Sequence, residues 1–229
     1  MKIVISDTEG DDLQEHSTKL WIFGGKELDT GEVKRFEPFR GQDEIDKAKA
    51  WASTVDLWVG HNFIDHDLVE ISKYIGPGII DPLKVVDTLV LSRLINYGIS
   101  AVKGVASGPH SLDAWGARLG KPKGVFKDFG NYSEEMVTYW EQDLEVNEAL
   151  YLYFKKYLDD SSWEKSIRVE HDTQIELVRQ RFYGFAFDKP EAESLLSEVR
   201  EEMTTLEEEL QEAYPPELQK VTSLQYRKT

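Results

Sequence analysis

Apolar positions along this chain follow two periods, and their order predicts strands first and helices later. Short segments rich in valine, isoleucine and aromatic residues lie in the first ninety residues and are typical of strands. Later segments have apolar positions three and four residues apart, as amphipathic helices do. The predicted strands cover residues 2–7, 18–24, 33–37, 56–60 and 85–87. The predicted helices cover 42–53, 67–75, 89–95, 111–119, a long segment after Ser133, 162–182 and 188–213.

Stretches rich in glycine, serine, proline or lysine interrupt these segments and predict loops at 96–110 and 120–130. Asp87 and Ser133 each precede a helical segment and are expected to cap its first turn. Gly184 separates the last two predicted helices. The order of elements therefore predicts an α/β domain with a C-terminal helical extension.

The composition of this 229-residue chain is that of one domain, or of one domain with a helical appendage. No run of about 18 apolar residues is present, so no membrane span is expected. The N-terminal apolar stretch is too short for a signal peptide. The absence of cysteine excludes disulfides and thiolate zinc sites. We therefore expect a cytoplasmic protein.

The net charge of −16 opposes nucleic-acid binding, which ordinarily uses a basic surface. The distribution of the charge weakens that objection. Residues 191–212 hold nine glutamates against one arginine, Arg200, so this segment alone supplies −8. Carboxylates that hold cations would account for a few more charges. The charge predicts weak affinity for a nucleic acid and does not exclude one.

Four carboxylates fall where such a fold brings side chains together. Asp7 and Glu9 lie two residues apart at the end of the first predicted strand, so both point the same way. Asp67 follows the fourth predicted strand and opens a helix. Asp143 lies in the long late helix, and Tyr139 lies one turn before it on the same face. Strand ends and one helix face are therefore expected to converge on a single site.

A cluster of this kind suits phosphodiester hydrolysis with two divalent cations, which activate a water and neutralise charge on the phosphate. Carboxylates are the ligands that Mg²⁺ and Mn²⁺ prefer, so two such ions are the expected cofactors. Each element alone has an ordinary explanation. The chain holds 43 acidic residues, Asp67 alone is a common helix cap, and an aromatic residue beside an acid is usual on a helix. The presence of all these residues in this order along the chain favours a metal site.

These residues form three motifs whose order and spacing resemble the DEDD exonuclease superfamily, in its tyrosine subclass. The histidine subclass carries its histidine where this chain has Thr138. The closer resemblance is to the 3′→5′ proofreading exonuclease domain of family A DNA polymerases from short-tailed phages. The motifs are Asp7-Thr8-Glu9, His61-Asn62 with Asp67, and Tyr139 with Asp143, and the supporting segments are Asp87–Ile95, His110–Gly120 and Gly184–Asp188.

The resemblance implies an RNase H-like fold, a mixed five-stranded sheet flanked by helices. It implies an exonuclease that acts on the 3′ ends of single-stranded DNA and releases nucleoside 5′-monophosphates. Asp7, Glu9 and Asp143 would hold a metal ion, and Asp7 would bridge to a second ion. Asp67 would bind through water or in a neighbouring shell, and Tyr139 would orient the attacking water.

Two departures from the family pattern bear on this interpretation. Asp67 lies five residues after Asn62, as in the phage group, whereas many members have a gap of four, which leaves Asp65 as a rival. We prefer Asp67 because Leu68 and Ile71 after it continue the phage pattern. At 229 residues the chain also has no room for the polymerase palm and fingers, so no polymerase activity is expected. Whether a longer polymerase was cut or the exonuclease is a separate gene product stays open.

Residues beside the carboxylates are the expected substrate contacts. Thr8 lies between the first two, and His61 and Asn62 lie at a strand end next to the site. Trp115 and Trp140 are candidates for stacking on bases, but their helical spacing among apolar neighbours favours core packing.

A small basic loop follows the helix at 111–119. Lys121, Lys123 and Lys127 are equally consistent with phosphate contacts and with a solvated loop. His66 and His110 are expected to be structural.

The last predicted helix carries an apolar heptad stripe, and its other faces are acidic. The stripe must be buried to be stable, because an isolated helix of this length is marginal in water. A hairpin on helix 162–182 and docking to a second copy or a separate polymerase polypeptide are both open. The stripe comprises Ala192, Leu196, Val199, Met203, Leu206, Leu210 and Ala213, and the hairpin would use Trp163, Ile167, Val178 and Phe182.

We predict two domains, an RNase H-like exonuclease domain at 1–160 and a helical extension at 161–229. The extension resembles the exonuclease-to-thumb junction of the family. Two other functions stay open on the sequence alone. A 3′→5′ exoribonuclease has the same catalytic motifs, and only the phage-type segments favour DNA. A non-catalytic acidic accessory protein of a polymerase would explain the net charge, but such a protein has no need of four carboxylates and a tyrosine in this order.

Overall fold

A computed structural model describes residues 1–14, 16–122 and 124–215. A five-stranded sheet flanked by helices carries the fold, which confirms the predicted α/β class. The strands are β1 (Ile3–Gly10), β2 (Leu20–Glu27), β3 (Val33–Phe36), β4 (Leu57–Gly60) and β5 (Val85–Asp87). The helices are α1 (Gln42–Ala52), α2 (Asp67–Tyr74), α3 (Thr88–Ile95), α4 (Leu112–Arg118), α5 (Glu134–Leu158), α6 (Glu164–Tyr183) and α7 (Lys189–Ala213).

The sheet is mixed, as predicted, with the strand order β3-β2-β1-β4-β5. The first three strands pair antiparallel, whereas β1, β4 and β5 run parallel to one another. Parallel strands bring their carboxyl ends to one edge of a sheet. That edge therefore receives the end of β1, the turn after β4 and the start of α3, which are the segments of the predicted motifs.

Successive residues of the central strands face opposite sides of the sheet, and both sides are covered. Val4 and Trp58 pack in the core beneath α1 and α2. Their neighbours Ile5 and Val59 pack on the other side against α5, where Trp140 is fully buried. The period of two thus assigns each residue of β1 to one of two cores.

Strand β1 is longer than the pattern predicted. It was expected to end near residue 7, yet it pairs with β2 as far as Gly10, with an irregular register between Glu9 and Gly10. Asp7 and Glu9 consequently lie within a paired strand and not in the turn after it. Pairing with β2 keeps these residues extended, since the local sequence Asp7-Thr8-Glu9-Gly10 has low strand propensity.

The chain divides between Tyr183 and Gly184 into two compact units, and α6 belongs to the first. Ile167 and Val178 of α6, two residues of the predicted hairpin, pack against the cores of that unit. In the second unit, the Asp188 side chain accepts a hydrogen bond from the Glu191 amide at 3.1 Å and caps α7. What covers the α7 stripe stays a prediction. Among the described residues, no helix is both long and apolar enough to cross a bilayer.

Candidate active site

Three of the four predicted carboxylates converge between β1 and α5. One carboxylate oxygen from each of Asp7, Glu9 and Asp143 lies within 4.8 Å of the others. Residue alternation places Asp7 and Glu9 on the face of β1 that α5 covers, and Asp143 lies on α5. The Trp140 indole donates a hydrogen bond to the Asp7 carbonyl at 3.0 Å, which holds the helix over the strand at this point.

The donor set of this cluster fits a hard divalent cation. Glu9 and Asp143 are almost completely buried, so water screens their charges poorly. Like charges so close together repel, and a bound cation relieves that repulsion. Because the three ligand atoms are carboxylate oxygens, they suit Mg²⁺ or Mn²⁺ and not a thiolate-type zinc site.

Asp67, the fourth predicted carboxylate, lies outside this group of three. It is fully buried at the start of α2, and the Thr8 hydroxyl donates a hydrogen bond to its Oδ1 at 2.6 Å. Burial raises the pKa of Asp67 to about 8; the Thr8 hydrogen bond opposes this rise and the nearby charge of Asp87 adds to it. At neutral pH this carboxyl is therefore largely protonated unless a cation or another positive charge approaches. Thr8, predicted to contact substrate, is itself buried.

The rival Asp65 has different surroundings. Its side chain forms an ion pair with Arg181 of α6 at 2.8 Å, and it lines a cavity beside the three-carboxylate cluster. Asp67 is held from inside the fold, whereas Asp65 is held from α6. The assignment of Asp67, and not Asp65, as the second-motif residue stays a prediction.

The cavity beside the cluster has a volume of about 630 Å³, which is in the usual range for small-molecule sites. Asp7 and Asp143 line it, together with the predicted substrate residues His61 and Asn62. The structure thus brings the first, second and third motifs to one opening.

The turn that carries these two substrate residues is held by Asp87. Its Oδ1 accepts hydrogen bonds from the amides of Asn62 at 3.0 Å and Leu89 at 2.9 Å, and its Oδ2 accepts one from Ile64 at 3.0 Å. The Asp87 amide in turn donates to His171 Nε2 on α6 at 2.9 Å. The predicted helix cap is confirmed, but the sequence did not reveal that the same carboxylate also clamps the turn after β4.

Asn62 needs this clamp because its backbone is strained. Its φ of 63° is the only positive value at a non-glycine residue in the described part of the chain. Next to it, His61 Nδ1 lies 2.9 Å from the Thr88 hydroxyl oxygen. Asp87 and Thr88, where β5 passes into α3, therefore fix the positions of Asn62 and His61.

Tyr139 is half-buried on α5, one turn before Asp143. Its ring packs against Phe126 and Phe129, with centroids 5.7 Å and 6.0 Å away. The Trp21 indole donates to the Phe129 carbonyl at 2.8 Å and anchors that loop to β2. The predicted loop at 120–130 therefore forms an aromatic support for the tyrosine, a contact that the sequence pattern did not indicate.

The remaining candidates divide into core and surface residues. Trp115 and Trp140 are buried, which confirms the prediction of core packing. Lys121 and Lys127 are exposed, and Lys123 lies outside the described residues. His66 is half-buried and His110 lines the cavity.

Burial lowers the pKa of His66 despite the opposing charges of Glu70 and Asp65. This agrees with the expected structural role of that histidine. The same role was expected of His110, but a position in the cavity wall gives His110 access to a ligand as well.

The chain is similar in sequence to two phage DNA polymerases and in fold to a bacterial protein. No family model matches the chain. It is 27% identical, over 261 aligned positions, to the DNA-directed DNA polymerase of Escherichia phage T7 and equally to that of Enterobacteria phage T3. Each alignment covers 93% of this chain and 37% of the polymerase.

Similar solved structures include NrnC of Brucella melitensis bound to pGG, with a TM-score of 0.53, 16% identity and coverage of 82% of this chain and 90% of that one. A second structure of Brucella melitensis NrnC has a TM-score of 0.51. At this identity the likeness concerns the fold. The chain has an RNase H-like fold and is homologous to the DNA polymerases of phages T7 and T3, of whose length it spans about 37%.

Proposed function

We propose that this chain is a metal-dependent 3′→5′ exonuclease of the proofreading type, which removes nucleoside 5′-monophosphates from the 3′ ends of single-stranded DNA. One observation carries the proposal. The carboxylate oxygens of Asp7, Glu9 and Asp143 come within 4.8 Å of one another in a chain that is homologous to phage DNA polymerases. The adjoining cavity of about 630 Å³ offers room for a terminal nucleotide.

The carboxylates would hold two Mg²⁺ or Mn²⁺ ions. When bound, such ions neutralise charge on the phosphate and make a water more acidic. Asp7, Glu9 and Asp143 fix the position of this chemistry at the edge of the cavity, and Asp67 supports it from a neighbouring position. The Thr8 hydroxyl holds the Asp67 carboxyl in place through its 2.6 Å hydrogen bond.

Tyr139 and the turn after β4 would position the reactants. The Tyr139 hydroxyl would orient the attacking water, and packing of its ring on Phe126 and Phe129 limits its rotation. His61 and Asn62 would contact the terminal nucleotide, since both line the cavity. Asp87 keeps this turn in its strained conformation, so the contacts are preorganised.

DNA is the proposed substrate because the homologous proteins are DNA polymerases. The carboxylate chemistry acts on the phosphodiester and does not distinguish deoxyribose from ribose. The test must therefore compare both nucleic acids.

The experiment uses the full chain with 5′-labelled single strands of DNA and RNA of the same sequence, with Mg²⁺ or Mn²⁺. We expect the DNA to shorten from its 3′ end faster than the RNA, no shortening in excess EDTA, and recovery when the metal is added back. Equal turnover in EDTA would contradict the metal-dependent mechanism. Faster cleavage of RNA would show that the chain is an exoribonuclease and not a DNA exonuclease. A folded protein that degrades neither strand would favour the third hypothesis, a non-catalytic acidic accessory protein.

A further inference from the structure

The cavity beside the carboxylates also has a cationic wall. Arg93 of α3 lines the same cavity as Asp7 and Asp143 and is exposed to solvent. Beside these acids and Asp65, a guanidinium would be expected to form an ion pair. Within the described parts of the chain, however, no carboxylate lies within ion-pair distance of Arg93, whereas Arg181 holds Asp65 at 2.8 Å. Arg93 is therefore available to a ligand that enters the cavity.

His110 stands in the same wall, and hydrogen bonds connect it to Ser92 of α3 and, through Ser92, to Trp115 of α4. The Trp115 indole donates to the Ser92 hydroxyl oxygen at 2.8 Å, and that oxygen lies 2.7 Å from His110 Nδ1. An indole N–H only donates, so the Ser92 oxygen accepts from Trp115, and either the Ser92 hydroxyl or His110 Nδ1 is the donor in the second bond. Burial lowers the pKa of His110, and the charges of Arg93 and Arg118 lower it further. The imidazole is thus neutral at neutral pH.

The segment that carries His110 is held firmly to α4. The Arg118 guanidinium donates to the carbonyls of Pro109 and Ser100, each at 2.7 Å, and stacks over the Trp115 ring. The Ser111 hydroxyl accepts a hydrogen bond from the Ala114 amide and caps the helix. A wall fixed in this way can present donors to a ligand without first becoming ordered.

We propose that Arg93 and His110 form a subsite for the phosphodiester one linkage to the 5′ side of the scissile bond. This inference rests on the proposed function. The scissile phosphate belongs with the metal-holding carboxylates, so a cation elsewhere in the cavity serves the next phosphate of the strand. Asp7, Asp65 and Asp143 repel that phosphate, and a planar guanidinium offers it two parallel hydrogen bonds. In the tautomer that carries its proton on Nε2, the neutral His110 adds a donor. The subsite explains how a chain of net charge −16 holds a polyanion at this opening.

The test compares Arg93→Met with Arg168→Met, a matched control on α6. Arg168 is exposed, forms an ion pair with Asp172 at 2.8 Å and is not among the residues that line the cavity. The substrates are a single-stranded DNA and the p-nitrophenyl ester of thymidine 5′-monophosphate, which has only one phosphate. We expect Arg93→Met to raise KM for DNA by about tenfold or more, as loss of a charge-assisted contact does. The loss on the ester should be at least tenfold smaller, and the control should match the wild type.

Salt dependence gives a second readout. The association constant K for a fluorescent single strand is measured in Ca²⁺ at several salt concentrations. In Arg93→Met, the slope of log K against log salt should be shallower by about 0.7, which is the value for one phosphate contact. His110→Phe should weaken binding without changing the slope, because the imidazole is neutral.

An unchanged KM and slope in Arg93→Met would overturn the subsite, and so would equal losses on the ester and the DNA. Wild-type protein that turns over neither substrate would overturn the proposed function instead. In that case the binding comparison still decides whether Arg93 contacts a phosphate, so the two failures are distinguishable.

Discussion

Asp143→Asn is expected to lower turnover on single-stranded DNA by about 10³-fold while the protein stays folded. The change removes one of three converging carboxylates and keeps the shape of the side chain. Loss of a ligand removes several kcal/mol of charge stabilisation at the phosphate, and each 1.4 kcal/mol is about tenfold in rate. The measurement is kcat on a 5′-labelled strand in Mg²⁺, together with a thermal melt. In the absence of metal, the melting temperature should be unchanged or raised, because the substitution removes a buried charge next to Asp7 and Glu9.

Glu145→Gln provides the matched control. Glu145 lies two residues further along α5 and is exposed, so the change removes the same charge from the same helix without touching the cluster. Its turnover should stay close to that of the wild type. Equal losses in the two variants would show that the net charge of α5 matters and not the cluster.

Asp87→Ala is expected to lower the free energy of unfolding by about 3 kcal/mol. The change leaves the amides of Asn62, Ile64 and Leu89 without their acceptor, and each buried unsatisfied group costs about 1–3 kcal/mol. Part of this loss is offset, because burial raises the pKa of Asp87 and its removal relieves a desolvated carboxyl. Urea unfolding at constant pH measures the difference.

Asp81→Ala is the control for this second prediction. The Asp81 side chain also caps a helical turn, but it accepts one hydrogen bond, from Leu83 at 2.9 Å, at an exposed position. Loss of such a cap costs about 1 kcal/mol. The folded fraction of Asp87→Ala should also turn over DNA more slowly, because the turn with Asn62 loses its clamp. If the two variants unfold at the same urea concentration, Asp87 is only a cap.

Local patterns sufficed for most of the fold and for the centre of the site. A period of two along β1 placed Asp7 and Glu9 on one face, and helical spacing placed Asp143 on one side of α5. Both are properties of single elements, so they can be read from adjacent residues. The length of β1 cannot be read in this way, because its last residues are held extended by pairing with β2.

The parts that the pattern missed depend on contacts between distant segments. Asp87 clamps the turn at Asn62, 25 residues earlier, and its amide bonds His171, 84 residues later. The availability of Arg93 depends on which carboxylates the fold brings near it, and the position of His110 depends on Trp115 through Ser92. No spacing along the chain encodes these contacts, since they arise only when the elements pack.

The central claim is that the carboxylate cluster hydrolyses a DNA strand from its 3′ end. It is tested most directly with a single-stranded DNA labelled in its 3′-terminal nucleotide and a copy labelled at its 5′ end. In Mg²⁺ or Mn²⁺, the 3′ label should appear in the first turnovers as a nucleoside 5′-monophosphate, while the 5′-labelled copy shortens one nucleotide at a time. Release of the 3′ label first within longer fragments, or release of the 5′ label first as a mononucleotide, would contradict the account.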